Sequence, residues 1–347
     1  MPVSSRVEGE GSAMAATVHQ SARPAPALDK ALQPSIQAAA MPGSARGAVI
    51  DAMATHTLPS LFISHGSPML ALEPGAAGGF MQRLGPALDA AFGRPRAIVV
   101  ASAHSLTREP VLLAAERHGT VHDFGGFPDA LYQLRYDAPG APALAPRAAQ
   151  LVREAGLPVH VAAEGGLDHG IWIPLRFAYP EVDVPVLPLA FPPDWSPKQL
   201  YALGRALAPL RDDGVLVVGS GSITHNLRLV FSRTPHARTA EAGEPEIPES
   251  AAFRRWFAER SAAQDLDALF DYRRQAPHAA HMHPSDEHLL PWYVAAGAGH
   301  EGPLLRVHDS VTNGCLGMDA YAFGATAPRL AQQLHEPATV TAARALA

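Results

Sequence analysis

At 347 residues and 47% apolar content the chain can bury a large core, and its formal net charge of -6, without any Lys/Arg run, argues against nucleic acid or an anionic membrane as partner. Its longest apolar stretches, such as Ala97–Ala101 and Val215–Gly219, are strand-sized, far short of a bilayer span. A single cysteine, Cys315, excludes an internal disulfide or a cysteine-based zinc cluster and fits a reducing, cytoplasmic setting.

Residues 1–57 are rich in Ala, Pro, Ser and Gly without a sustained apolar period, so a disordered extension is expected there. No apolar h-region follows a basic start, and Met41 or Met53 offers an alternative translation start. From Leu58 the pattern changes. Leu61–Ile63, Ala97–Val100, Val184–Leu189 and Val215–Val218 are short β-branched runs that suit strands buried on both faces. Helical patterns lie between them, over Gly79–Phe92, Ala141–Ala155 and Pro197–Arg211, the last closing at the turn signal Asp213-Gly214. A Pro- and Glu-containing loop is expected over Thr234–Pro248, then a helix over Glu249–Ala263. Two strands are expected over Val307–Thr312 and Leu316–Phe323. Strand alternating with helix predicts an α/β fold, a mostly parallel or mixed sheet flanked by helices, in one domain over residues 58–330 with a tail over 331–347.

Histidine is the compositional outlier, at 17 residues. Three strand candidates end alike: an apolar run, small residues, then a histidine. They are Leu61–Gly66 with His65, Val99–His104, and Val217–Asn226 with His225. In open α/β sheets ligands bind beyond the carboxyl ends of the strands, and imidazoles delivered there can share one Zn(II) or Fe(II). A lone histidine after a strand is more often a hydrogen-bonded loop residue; three with one local pattern make a shared site about as good a reading. Two further segments bear on it. Gly165–Trp172 sets His169 beside Asp168, which either orients an imidazole or closes a tight turn. His281–Pro291 resembles a helix entry with Ser285 as N-cap and His288 at the third helical position, where Glu287 or His288 would complete a metal sphere or simply face solvent.

Six segments together resemble the class III extradiol ring-cleaving dioxygenases of the LigB-type superfamily, in the bacterial 4,5-DOPA dioxygenase-like branch. They are Leu61–Met69, Ala101–His104, His122–Pro128, Leu167–Gly170, Gly219–Leu227 and Glu287–Pro291, in the family's order over roughly residues 58–324. The resemblance implies one divalent metal per chain with His65 and His104 as ligands. It places His288 where other branches use a glutamate, and His225 as catalytic base within reach of the metal. It gives His169 a role in proton relay or substrate binding. His122 is expected either at the pocket mouth or in a loop shaped by Gly125-Gly126-Phe127-Pro128. An all-histidine sphere departs from the 2-His-1-carboxylate pattern and suits Zn(II) as well as Fe(II). The implied reaction joins a DOPA-like catechol and O2 to a semialdehyde, which requires Fe(II) because Zn(II) has no accessible second oxidation state. The rival readings are a zinc hydrolase and a non-catalytic Memo-like metal-binding protein. The expected partners are a small-molecule catechol and O2, and the expected protein is a monomer or small homo-oligomer.

Overall fold

The structure is a computed structural model that describes residues 57–233 and 245–335. The extension expected over residues 1–57 lies outside the described residues except for Thr57, as do most of the loop expected over Thr234–Pro248 and residues 336–347 of the expected tail.

The strands are β1 (Ser60–Ser64), β2 (Ala97–Ser102), β3 (Val111–Leu113), β4 (His160–Ala162), β5 (Val186–Ala190), β6 (Val215–Gly221), β7 (Leu304–His308), β8 (Val311–Thr312), β9 (Leu316–Gly317) and β10 (Ala320–Phe323). Eight form one sheet in the order β4-β3-β5-β2-β6-β1-β10-β7, and β8 pairs with β9 separately. The centre, β5-β2-β6-β1, is parallel. Both flanks turn antiparallel, where β3 meets β5 and β10 meets β1. The expected α/β architecture is therefore present, with a mixed sheet.

The continuous apolar runs are explained by burial on both faces. Phe62, Val99, Ala101 and Val215 point into one core, while Leu61, Ile63, Ile98, Val100, Leu216 and Val218 point into the other. The principal helices are α1 (Gly75–Phe92), α2 (Ala145–Glu154), α3 (His169–Ala178), α4 (Pro197–Leu207), α5 (Pro248–Ala262), α6 (Leu290–Ala298) and α7 (Ala327–His335). Helices α2, α4, α5 and α6 cover the first face, and α1, α3 and α7 the second. Among the described residues no helix is long and apolar enough to cross a membrane.

Helix α2 starts four residues later than its apolar pattern, with Pro146 in its first turn, where a missing N–H costs no hydrogen bond. Strands β3 and β4 have three residues each, the first partly buried and the second mostly exposed, too short to leave a period-two signal. The two strands expected near the end are each split. Asp309 and Asp319 stand at the breaks, and both bond Arg254 instead of extending the ladder. Helix α7 runs across the boundary expected between domain and tail at residue 330.

Topology places the site. Strand β6 lies between β1 and β2, so the segments leaving β1 and β2 flank the end of β6. Helix α6 approaches β6 so closely that a Cβ on Gly219 or Gly221 would fall 2.1 or 2.0 Å from the carbonyl oxygens of Pro291 and His288. The small residues at the end of β6 thus make room for the first turn of α6 and for the backbone of His288 just before it.

Candidate metal centre

Five of the histidines singled out in the sequence, His65, His104, His169, His225 and His288, line one cavity of about 480 Å³ beyond the carboxyl ends of β1, β2 and β6. His65 follows β1 directly, its N–H donating to Gly221 O at 2.9 Å. Its Nδ1 lies 3.0 Å from Ser220 Oγ, and Ser220 gives its own proton to Gly170 O, so Nδ1 donates and Nε2 keeps a free lone pair. Gly170 is small of necessity: a Cβ there would meet Ser102 Oγ at 2.6 Å and the His65 ring at 3.0 Å.

His104 is set by the loop after β2. Asp168 accepts from Ser102 Oγ at 2.6 Å and from Ser105 Oγ at 2.7 Å, pinning both sides of His104. Burial pushes the Asp168 carboxyl up, against the lowering effect of the two hydroxyls. Asp168 orients the His104 loop rather than an imidazole, and Asp123 holds the rings. Asp123 lies 3.0 Å from His169 Nδ1 through both oxygens, accepts the His169 N–H at 2.9 Å, and stands 3.5 Å from His104 Nδ1. Burial alone would raise the Asp123 carboxyl, but the His169 hydrogen bonds and charge outweigh it and hold it at about 2. With their Nδ1 protons facing Asp123, His104 and His169 present bare Nε2 atoms.

His288 occupies a turn before α6. The helix begins at Leu290 because Pro291, lacking an N–H, is tolerated only in the first turn. The expected entry at Ser285 is therefore corrected: Ser285 Oγ donates to Glu287 Oε1, and His288 Nδ1 lies 3.1 Å from that same oxygen. His225 stacks on His288 with centroids 3.4 Å apart and planes 9° apart, its N–H donating to Met282 O at 2.9 Å.

The donor set fits a divalent metal. The Nε2 atoms of His65 and His104 face each other at 3.1 Å, two lone pairs that repel unless a cation answers both. The ligand atoms of His65, His104 and His169 lie within 4.8 Å of one another, and those of His225, Glu287 and His288 do likewise. Burial first, then the neighbouring imidazoles, holds His65 and His288 well below the usual histidine range. Burial is also the chief cause that lowers His104 to about 4, with His169 next, and His225 to about 3, with His283 next. Neutral imidazole is the ligating form.

His122 does not line this cavity. Its Nε2 sits 3.2 Å from Leu134 O, and its ring packs against Phe124 and Trp172. Sequence reasoning assigned no role to Asp123 or Ser220. They fall within His122–Pro128 and Gly219–Leu227, but their partners are distant in sequence.

The catalytic LigB subunit of aromatic ring-opening dioxygenase family matches residues 59–324. A "4,5-DOPA dioxygenase extradiol" from Beta vulgaris is 36% identical over 77% of this chain and 97% of its own length. One from Escherichia coli K12 is 45% identical over 51% of this chain and 64% of its own. The crystal structure of an uncharacterized Escherichia coli K12 protein superposes with a TM-score of 0.60 at 30% identity, covering 77% of this chain and all of that one. The chain belongs to the LigB family of aromatic ring-opening dioxygenases, in its extradiol branch.

Proposed function

We propose that this enzyme opens the ring of a catechol beside its diol, placing both atoms of O2 in a semialdehyde product, with one divalent metal held by His65, His104 and His288 and with His225 in reach of it. The observation that carries this reading is the pair of facing Nε2 lone pairs of His65 and His104 inside a five-imidazole cavity. When bound, Fe(II) acidifies the diol and supplies the electron transfer that O2 requires, of which Zn(II) provides only the first.

The chain's own groups do the rest. Phe124 and Phe127 line the cavity and give an aromatic ring apolar walls. His225, whose ring makes no hydrogen bond among the described residues, offers a lone pair to a phenolic O–H. His169 is equipped to hold a proton at Nε2, because Asp123 carries its Nδ1–H and stabilises the cation formed. It returns that proton to an oxygen of the opening ring. Ser220 and Asp168 keep His65 and the His104 loop fixed while this happens. A single cysteine supports a cytoplasmic setting, with small molecules as the only partners required.

Fe(II)-loaded protein, prepared without oxygen and then assayed aerobically with L-DOPA and a panel of catechols, should consume O2 and form a yellow semialdehyde. No oxygen uptake with any catechol, at full iron occupancy, sinks this reading.

A further inference from the structure

An imidazole that binds metal through Nε2 needs an acceptor for its Nδ1–H, and here that acceptor differs from ring to ring. His65 has the neutral hydroxyl of Ser220 at 3.0 Å, and His169 has the carboxylate of Asp123 at 3.0 Å. His288 has Glu287, whose Oε1 lies 3.1 Å from Nδ1 and also accepts from Ser285 Oγ at 3.0 Å. An ionised carboxylate only accepts, so this contact places the His288 proton on Nδ1 and leaves the Nε2 lone pair bare. Closing the turn before α6 accounts for the Ser285 contact alone. Carrying the imidazole proton is a separate use of the same oxygen.

Charge adds a second contribution. Neutral imidazoles leave a divalent cation with its full charge, where a 2-His-1-carboxylate sphere would cancel part of it. Among the described residues Glu287 is the one carboxylate that lines the cavity, and no Lys or Arg lines it. The Glu287 and His288 side chains are 22% and 7% exposed, so water and salt screen this pair less than a surface pair. The charge already reaches the neighbouring rings: burial lowers His104 and His225, and Glu287 pulls each partway back. Glu287 Oε2 makes no hydrogen bond among the described residues, and the ligand atoms of His225, Glu287 and His288 lie within 4.8 Å of one another. Direct ligation by Glu287 is therefore the rival to be separated.

We propose that Glu287 is a positioning residue for the metal: it fixes His288 with Nε2 as donor and supplies, from outside the coordination sphere, the negative charge that a histidine sphere lacks. This rests on the metal of the ring-cleavage reading but not on its reaction. A ring that donates to Glu287 through one nitrogen offers the other to the cation, and the carboxylate strengthens that offer by drawing on the Nδ1–H.

The test is the Zn(II) affinity of the full chain, measured after metal removal by competition with a chromophoric chelator. Glu287→Gln keeps the shape and an acceptor oxygen but removes the charge, and should weaken binding about 10–100-fold. Glu287→Ala should weaken it at least as much, and it decides the matter if the amide distorts the turn. Thermal unfolding of the metal-free chains checks that both variants are folded. The visible spectrum of the Co(II)-loaded chain separates positioning from ligation: its d–d bands should keep their positions in Glu287→Gln, because the ligand set is unchanged. Losses smaller than about threefold in both variants overturn the proposal and leave Glu287 as a turn residue. Shifted Co(II) bands in Glu287→Gln overturn it too, by making Glu287 a ligand. If the unsubstituted chain binds metal but its Fe(II) form takes up no O2 with any catechol, the ring-cleavage reading falls and the affinity loss still upholds this proposal. A chain that binds no Zn(II) ends both.

Discussion

Arg254 and His65 are both buried polar side chains near the same end of the sheet, yet their surroundings differ in kind. Arg254 is 5% exposed and fully engaged. Its Nε and Nη2 reach Asp319 at 2.7 and 3.0 Å, its Nη1 reaches Glu246 at 2.9 Å, and Nη2 also bonds Asp309. Arg306 adds a second cation to Asp319 at 3.1 Å. Burial works against the Arg254 charge, but Asp319 and Glu246 outweigh it and raise its pKa. His65 is 1% exposed and uses one nitrogen only, leaving Nε2 3.1 Å from another bare Nε2. The ion network commits its groups to one another and joins helix α5 to the breaks in the last strands. The imidazole cluster keeps its lone pairs uncommitted, which costs the fold and serves a ligand.

The largest expected effect is on metal retention. His65→Ala or His104→Ala should drop bound metal from near one per chain to below about a tenth after dialysis, because each removes one of few imidazole donors. Elemental analysis finding full metal in both variants breaks the assignment. His169→Ala should retain the metal yet lower turnover of the Fe(II) form by about 10²–10⁴-fold, the usual range for a lost proton carrier. Asp123→Asn should do the same less severely. Loss of metal in His169→Ala would instead move His169 into the ligand set.

Stability should respond in the opposite order. Asp319→Ala leaves Arg254 buried with less countercharge and should cost about 3–5 kcal/mol in urea unfolding. In metal-free protein His104→Ala should cost less than about 1 kcal/mol, since it also relieves the facing lone pairs. Equal losses in the two variants would erase the distinction between the clusters.

Acid provides a further test of the same contrast. Folding lowers His104 to about 4 and His225 to about 3, with His65 and His288 also well below their ordinary value of 6.5. Above pH 6.5 the rings are neutral in both states, and their contribution is complete. As pH falls below 6.5 the unfolded chain takes up protons that the folded chain refuses, so stability declines progressively toward pH 4 and 3. The urea midpoint of metal-free protein should therefore be flat from pH 8 to about 6.5 and fall below it. A His288→Ala variant should show a shallower fall, and an unchanged slope would remove His288 from the buried neutral set.

Much of this was legible in sequence where one local pattern sufficed. The β-branched runs marked β1, β2, β5 and β6 because both faces of those strands are buried, and a histidine after three of them pointed to the site. What depends on partners far apart in sequence was not legible. Asp123 holds a ring 46 residues away, and Ser220 holds one 155 residues away. The start of α6 was misplaced because Ser285 looks like an N-cap; Pro291, which sets the true start, was available to read. Strand β4 is exposed and three residues long, too little for any periodicity.

The smallest expected effect concerns His122. Its Nε2 lies 3.2 Å from Leu134 O and its ring meets Phe124 and Trp172 at 5.6 and 5.9 Å, so it reaches the cavity only through Phe124. His122→Phe preserves that aromatic packing and removes the polar atoms. If packing is its contribution, kcat/KM for a catechol should stay within about threefold and metal content should not move. A loss beyond about a hundredfold in kcat/KM at unchanged metal content would mean the imidazole touches substrate in the working enzyme. The loop from His122 to Pro128 would then have to shift on binding, carrying Asp123 and its hold on His169 with it. His122→Phe would in that case show the same pH profile of turnover as Asp123→Asn. Distinct profiles would confine His122 to packing and leave Asp123 as the group through which this loop governs the imidazoles.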